Sequence, residues 1–247
     1  MVSIITPCYN ASAFIEQTIL SVQAQTYTDW EMLIVDDCSN DNSAEIIKRY
    51  ADKDRRIKYL NTDRSSGSPV KPRNIGIENA KGRYIAFLDS DDVWFPDKLE
   101  KQLNLFHDKK VAVVYSNYEK MNENGERGNR IIKAPSETNY YDLLKGNVIG
   151  NLTGVYDTEK VGKVYCQNIH HEDYILWLSI LKKGFIAKNT NTVTALYRVR
   201  NNSVSSNKLK VLSWQWNILR NVENLPFYKS VYCFMCYAIK AILKAVK

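Results

Sequence analysis

A chain of 247 residues with 45% hydrophobic and 25% charged residues has room for one generous core. Those proportions exclude a disordered chain, a collagen-like repeat and a small disulfide-stapled scaffold. Thirty-four Lys and Arg against 27 Asp and Glu leave a net charge of +7, which suits nucleic acid, an anionic membrane surface or a phosphorylated substrate.

Val2–Ile5 is short, apolar and β-branched and predicts a first strand. Phe14–Gln23 places Ile15, Ile19 and Val22 at helical spacing, behind the candidate N-caps Asn10 and Ser12. Met32–Val35 reads as a second strand, Ser43–Tyr50 as a second helix with Ile46 and Ile47 inward, and Ile57–Leu60 as a third strand. Pro72 suits the first position of a helix that runs through Glu78. Tyr84–Leu88 is a fourth strand, Asp97–Phe106 a helix after Pro96, and Val111–Tyr115 a fifth strand. This alternation specifies an α/β fold, a mainly parallel sheet with helices on both faces. From Asn117 to about Asn168 the pattern loosens. Asn124-Gly125 predicts a hairpin turn there, and Gly146, Gly150 and Gly154 mark flexible backbone. Asp173–Leu181 then reads as a helix, Thr192–Tyr197 as a strand, and residues 207–247 as two helices parted near Pro226.

Five scattered cysteines, Cys8, Cys38, Cys166, Cys233 and Cys236, are no disulfide framework and fit a reducing cytosol. Cys233 and Cys236 form a CxxC inside an apolar helical run without a second pair, where core packing outweighs zinc or redox chemistry. The start, MVSIITPCYN, carries no signal-peptide features. The longest apolar run, Val231–Ile239, falls well short of the roughly 20 residues that span a bilayer. A cytoplasmic protein is expected, with a membrane-surface position compatible.

Polar residues concentrate after strands. Thr6-Pro7-Cys8-Tyr9-Asn10 follows the first, Asp36-Asp37 the second and Asp89-Ser90-Asp91-Asp92 the fourth. In an open parallel sheet these loops share the carboxyl edge, where such folds bind ligands. The cluster of Asp89, Asp91 and Asp92 suits Mg²⁺ or Mn²⁺ bridging to a diphosphate, and equally a solvated turn. Asp37 fits a base or ribose contact as well as a turn. There is no GxGxxG after the first strand and no GxxxxGK[ST], so metal and Arg or Lys would hold any phosphates. Arg73, at a helix start beside Lys71, is the candidate, with a plain surface charge as the alternative. His170-His171-Glu172-Asp173 opens a helix with a buried face. Its carboxylates fit the positive helix end, a general base at Asp173, or a metal site using a histidine. Tyr197-Arg198-Val199-Arg200-Asn201-Asn202-Ser203 suits a loop closing over phosphates, or a solvated turn.

Three segments in order, VSIITPCYNASAFIEQTILSVQAQTYTDWEMLIVDDCSNDNS, PRNIGIENAKGRYIAFLDSDDVWFPDKLEKQL and HEDYILWLSIL, resemble a bacterial family 2 glycosyltransferase of the GT-A fold across about residues 2–205. The resemblance implies that Thr6, Pro7, Tyr9, Val35 and Asp37 hold the base and ribose of a nucleotide sugar, with Arg73 near the diphosphate. Asp89 and Asp91, flanking Ser90, would be the DxD pair that touches the ribose and a Mn²⁺ or Mg²⁺ ion, with Asp92 a further candidate ligand. Asp173 would be the catalytic base, Glu172 would position the acceptor, and Arg198 and Ser203 would belong to a closing loop. Ser68-Pro69-Val70-Lys71-Pro72 departs from the family, which commonly has small residues before the Arg-Asn pair. The QxxRW of processive synthases is absent after Asp173, which implies addition of one sugar per encounter.

The expected organisation is a catalytic domain over 1–205, its nucleotide-sugar half about 1–116 and its acceptor half 117–205, followed by a helical tail over 206–247. The expected reaction moves one sugar, with inversion, from a UDP-sugar to a glycan or lipid-linked glycan hydroxyl in surface polysaccharide assembly, such as capsule or lipopolysaccharide. A sugar-nucleotidyltransferase, or an inactive nucleotide-sugar-binding relative, is the alternative. No zinc pattern, aromatic RNA-binding motif or basic stripe marks the core, so nucleic acid is not an expected partner. In the tail, Lys240, Lys244 and Lys247 follow Val231–Ile239 at near-helical spacing. Residues 225–247 fit an inner-membrane surface and, equally, packing on the domain or on a second subunit.

Overall fold

Every residue of Val2–Cys8 (β1) and Trp30–Asp36 (β2) is buried, which leaves neither strand a solvent face and requires helices on both sides. The computed structural model describes residues 1–200 and 208–246. Between these strands lies Ile15–Gln23 (α1), which buries Ile15, Thr18, Ile19, Ser21 and Val22. Ser43–Ala51 (α2), Ile57–Asn61 (β3), Val70–Asn79 (α3) and Tyr84–Phe87 (β4) complete the first half. Its strands pair in parallel in the order β3-β2-β1-β4, with Pro7 opposite Val35 and Ile5 opposite Phe87. Alternate residues serve opposite faces. Ile5, Leu33 and Phe87 enter one apolar cluster, and Ile4, Met32 and Ala86 the other.

The second half follows as Val93–Trp94 (β5), Lys98–Leu103 (α4) with a 3-10 turn Asn104–His107, Val111–Met121 (β6), Arg127–Ile132 (β7) and Glu137–Asn139 (β8). Tyr140–Leu143 (α5), a 3-10 turn Asn151–Thr153, Val155–Asp157 (β9), Thr158–Val161 (α6), Glu172–Leu181 (α7) and Ile186–Arg198 (β10) come next. Lys208–Asn217 (α8), a π-helical turn Ile218–Val222 and Phe227–Val246 (α9) close the chain. β9 sits antiparallel between β4 and β6, β10 runs parallel to β6, and β5 pairs antiparallel with β10. The sheet is thus parallel in its first half and mixed in its second.

β6 and β10 run well past the predicted Val111–Tyr115 and Thr192–Tyr197. Buried polar residues hide their strand pattern: Ser116 pairs with Thr194, and the Asn189 amide donates to Asn117 and to the Ala134 carbonyl. The Asn124-Gly125 turn is present, with Gly125 at φ +84° and its N–H donating to the Asn122 carbonyl between β6 and β7. Gly154 is a close approach. A Cβ there would stand 2.3 Å from the Trp177 ring, whose face fills the core beneath α7. The tail packs on that core: Ile218, Leu219 and Cys233 join Trp177 in one cluster, and Gln215 donates to the Leu144 carbonyl. Among the described residues, all five cysteines are free and Cys233 is a core residue. No described helix is long and apolar enough to cross a membrane.

Candidate active site

The carboxyl edge of the parallel strands opens into a cavity of about 1470 Å³ whose walls include Tyr9, Asp37, Arg73, Asp89, Asp91 and Asp173. Segments far apart in sequence therefore meet where the topology alone placed them.

Arg73 stands at the start of α3, 5% exposed. One terminal nitrogen donates to Asp89 at 2.7 Å and the other to Glu172 at 2.6 Å. Burial alone would lower the guanidinium pKa, but the charges of Asp89 and Glu172 outweigh it, and the pKa moves above the ordinary Arg value. Its buried Nε has no partner. Arg73 is a buried cation held by two carboxylates, not the plain surface charge of the alternative reading.

Asp89, Ser90 and Asp91 line the cavity. Burial, then the adjacent Asp89 carboxylate, raises the pKa of Asp91, while Arg200 stands 3.7 Å from its Oδ2. Asp92 is set apart from Asp89 and Asp91. It is 1% exposed and not part of the cavity wall, and its Oδ1 accepts the Arg198 N–H at 2.8 Å. That bond pins the end of β10, while the buried Oδ2 of Asp92 has no partner. Arg198 is the last residue of β10, not part of a loop, and its guanidinium donates to the carbonyls of Asp91 and Glu123 at 2.8 Å and to Gln17. With those donors committed, it stiffens the cavity wall and has little freedom to close. Arg198 and Arg200 lie over the Phe14 ring. Ser203 lies outside the described residues.

Among the described residues, no group of three His, Cys, Asp or Glu side chains is placed to hold a metal. Asp89 and Asp91 supply two hard oxygen donors in the cavity wall. That set fits Mg²⁺ or Mn²⁺ bound through one or two carboxylates, with water and phosphate oxygens completing the shell. Burial is the main cause of the raised pKa of Asp91, and the Asp89 repulsion that adds to it is one a cation would relieve.

Asp173 lies in the first turn of α7. Burial foremost, then Glu172, raises its pKa to about 6, against the opposing charge of Arg73. Asn147 donates to its Oδ2 at 3.2 Å. His171, just before the helix, takes a left-handed φ of +65°, which turns the chain so that Glu172 and Asp173 both reach the cavity. His170 stacks on Trp214 of α8 at 4.2 Å, and all three aromatic groups line the cavity near Asp173. Sequence reasoning missed Asn147 and Trp214. The glycine-flanked stretch around 146–150 marked the first, whereas Trp214 lay in a tail read separately from the domain.

Asp37 is 4% exposed and accepts hydrogen bonds from Thr62 Oγ1 and from the Ser66 N–H and hydroxyl, each at 2.9 Å. It thereby anchors the stretch carrying Ser65, Gly67 and Ser68 into the wall. Pro7 and Tyr9 line the cavity, Tyr9 with half of its surface exposed. Thr6 and Val35 are fully enclosed within β1 and β2, so neither side chain belongs to the wall, and any contact they make there is through backbone.

The chain is similar to known proteins. The family model for glycosyl transferase family 2 matches residues 3–163. The chain is 44% identical over 245 residues to TuaG of Bacillus subtilis (strain 168), a glycosyltransferase named for teichuronic acid biosynthesis, with 99% of this chain and 97% of that protein covered. It is 40% identical over 245 residues to WfgD of Escherichia coli, a UDP-Glc:alpha-D-GlcNAc-diphosphoundecaprenol beta-1,3-glucosyltransferase, with 99% and 94% covered. In fold it is similar to S. aureus TarS 1-349 in complex with UDP-GlcNAc, with a TM-score of 0.72 at 20% identity over 96% of this chain and 71% of that one. The mixed sheet and its flanking helices are the GT-A fold. The chain is a glycosyltransferase and belongs to glycosyl transferase family 2.

Proposed function

We propose that the protein transfers one sugar from a UDP-sugar to a hydroxyl of a lipid-linked glycan, with inversion at the anomeric carbon, in bacterial surface polysaccharide synthesis. The observation that carries this reading is the position of Asp173. Its pKa is raised to about 6, and it shares one cavity wall with Asp89, Asp91 and Arg73. A carboxylate with that pKa is ionised at neutral pH yet basic enough to take a proton in a transition state. The UDP-glucose and diphosphoundecaprenol substrates in the name of WfgD support the donor and acceptor classes.

In this reading Asp173 takes the acceptor hydroxyl proton as that oxygen bonds to the anomeric carbon and the bond to the UDP oxygen breaks. Asn147 holds the carboxylate in position. Pro7 and Tyr9 flank the base and ribose, while Asp37 fixes the segment that walls them in. Arg73 bridges Asp89 and Glu172 and holds them aligned, and Glu172 orients the acceptor beside the base. Asp91, with Asp89, would hold Mn²⁺ or Mg²⁺, which when bound neutralises charge on the departing diphosphate. A Ser or Cys nucleophile has no part in a single displacement.

The test is UDP release and thermal shift across UDP-glucose, UDP-GlcNAc, UDP-galactose and GDP-mannose, each with Mn²⁺, Mg²⁺ or EDTA. A metal-dependent shift by a UDP-sugar, with UDP release on adding a GlcNAc-diphospholipid, is expected. Equal response with EDTA overturns the metal assignment, and no response to any donor overturns the donor assignment.

A further inference from the structure

Seven of the fourteen exposed large apolar side chains among the described residues lie on α9, a density that singles out this helix as a surface awaiting cover. At 100° per residue, Tyr228, Val231, Tyr232, Met235 and Ile239 fall within a strip of about 100°. Exposed Lys229 and Lys240 border that strip on one side. The opposite face is already spoken for: Ser230 and Cys233 are buried, and Phe234 meets Trp216 at 5.4 Å. The helix is therefore docked on one face and bare on the other.

Charge decides what covers the bare face. Residues 227–246 hold Lys229, Lys240 and Lys244 and no Asp or Glu. In a symmetric contact the same patch meets itself. A second copy of this helix would offer the lysines only more lysines, whereas anionic lipid phosphates offer them partners and acyl chains offer the strip an apolar medium. Tyr228 and Tyr232 suit the boundary between the two. No described helix is long and apolar enough to cross a bilayer, so lipid contact here would run along the surface.

We propose that α9 docks the protein on an anionic lipid surface, with the strip from Tyr228 to Ile239 facing the acyl chains and Lys229 and Lys240 against lipid phosphates. The docked face of the helix ties this surface to the chemistry. The Tyr237 ring closes over Gly146, where an added Cβ would stand 3.0 Å from the ring, and the next residue is the Asn147 that bonds Asp173. Docking thus brings the Asp173 end of the cavity close to the lipid surface. The inference goes beyond the proposed reaction and does not rest on it.

The test is flotation of the full chain with vesicles of phosphatidylglycerol and phosphatidylcholine, compared with phosphatidylcholine alone, without any sugar donor. Co-flotation with the anionic vesicles and little with the neutral ones is expected. Met235→Ser with Ile239→Ser should weaken vesicle affinity roughly a hundredfold, and Lys229→Gln with Lys240→Gln roughly thirtyfold. Both pairs are exposed, so melting temperature should hold within a few degrees. Absence of flotation, or flotation untouched by both pairs, overturns the proposal. So does a dimer in sedimentation that Met235→Ser with Ile239→Ser dissolves while vesicles go unbound, since a second copy is then the occupant.

Discussion

Arg73 and Glu172 lie 99 residues apart in the chain and 2.6 Å apart in space. Because the same guanidinium also holds Asp89, one cation ties the end of β4 to the start of α7. The carboxylates of Asp89 and Glu172 thereby share a single counterion, and moving one disturbs the other.

Removing that cation should be severe. Arg73→Ala leaves two partly buried carboxylates unpaired and should cost about 3–5 kcal/mol in chemical denaturation, with loss of transfer. Arg73→Lys, which has one ammonium for two partners, should recover part of the stability and little of the activity. Equal rescue of both by Lys would count against the bridging role.

The pH dependence follows from Asp173. Its pKa of about 6 predicts that kcat/KM falls with unit slope as pH drops below 6. Asn147→Ala removes a donor to the carboxylate, and hydrogen bonding to the charged form favours it. The acid limb should therefore shift to higher pH in that variant, by a fraction of a unit. A purely structural Asn147 would lower kcat and leave the limb where it was.

Stability carries the opposite signature. The native pKa of Asp173 lies above the unfolded value of about 3.9, so the folded state holds the proton more tightly. The Asp173 contribution to stability is full below pH ~4 and is lost as pH rises through 6. Asp173→Asn escapes that decline and should be more stable than the parent by about 1 kcal/mol at pH 7.5, a figure discounted for partial exposure. At pH 4 the difference should vanish. Urea denaturation at the two pH values checks it, and an equal difference at both would show that burial of Asp173 is not the cause.

The two neighbouring aspartates should separate cleanly. Asp91→Asn should abolish Mn²⁺-dependent binding of UDP in calorimetry. Asp92→Asn should keep that binding, since Asp92 faces the Arg198 N–H and not the cavity, and should register chiefly as a change in stability. Loss of metal-dependent binding in Asp92→Asn would return it to the metal site.

Much of this was legible because the central strands of the first half, β1 and β2, are buried on both faces. Apolar runs such as those of Met32–Val35 and Tyr84–Leu88 show themselves in composition, and parallel topology then dictates that Asp37 and Asp89 share an edge. The second half is less legible for a physical reason. Ser116, Asn117, Glu119, Asn189 and Thr194 are buried in β6 and β10, satisfied by one another or by Arg127 and the backbone, and so break the apolar signal. The direction of a side chain within DSDD, which separates Asp91 from Asp92, depends on the turn after β4 and on the N–H of Arg198, 106 residues away. Arg198 itself reads as a loop residue because the strand it ends is held by pairing to β6. Trp214 reaches the cavity only because the tail folds back on the core that holds Trp177.

The most direct test is the turnover of Asp173→Asn with saturating UDP-sugar, Mn²⁺ and a GlcNAc-diphospholipid acceptor, alongside its calorimetric affinity for UDP. A fall of roughly 10²–10⁴-fold in kcat with UDP affinity unchanged is the result expected of a general base. Turnover within a few-fold of the parent enzyme would contradict the assignment of Asp173 and, with it, the mechanism.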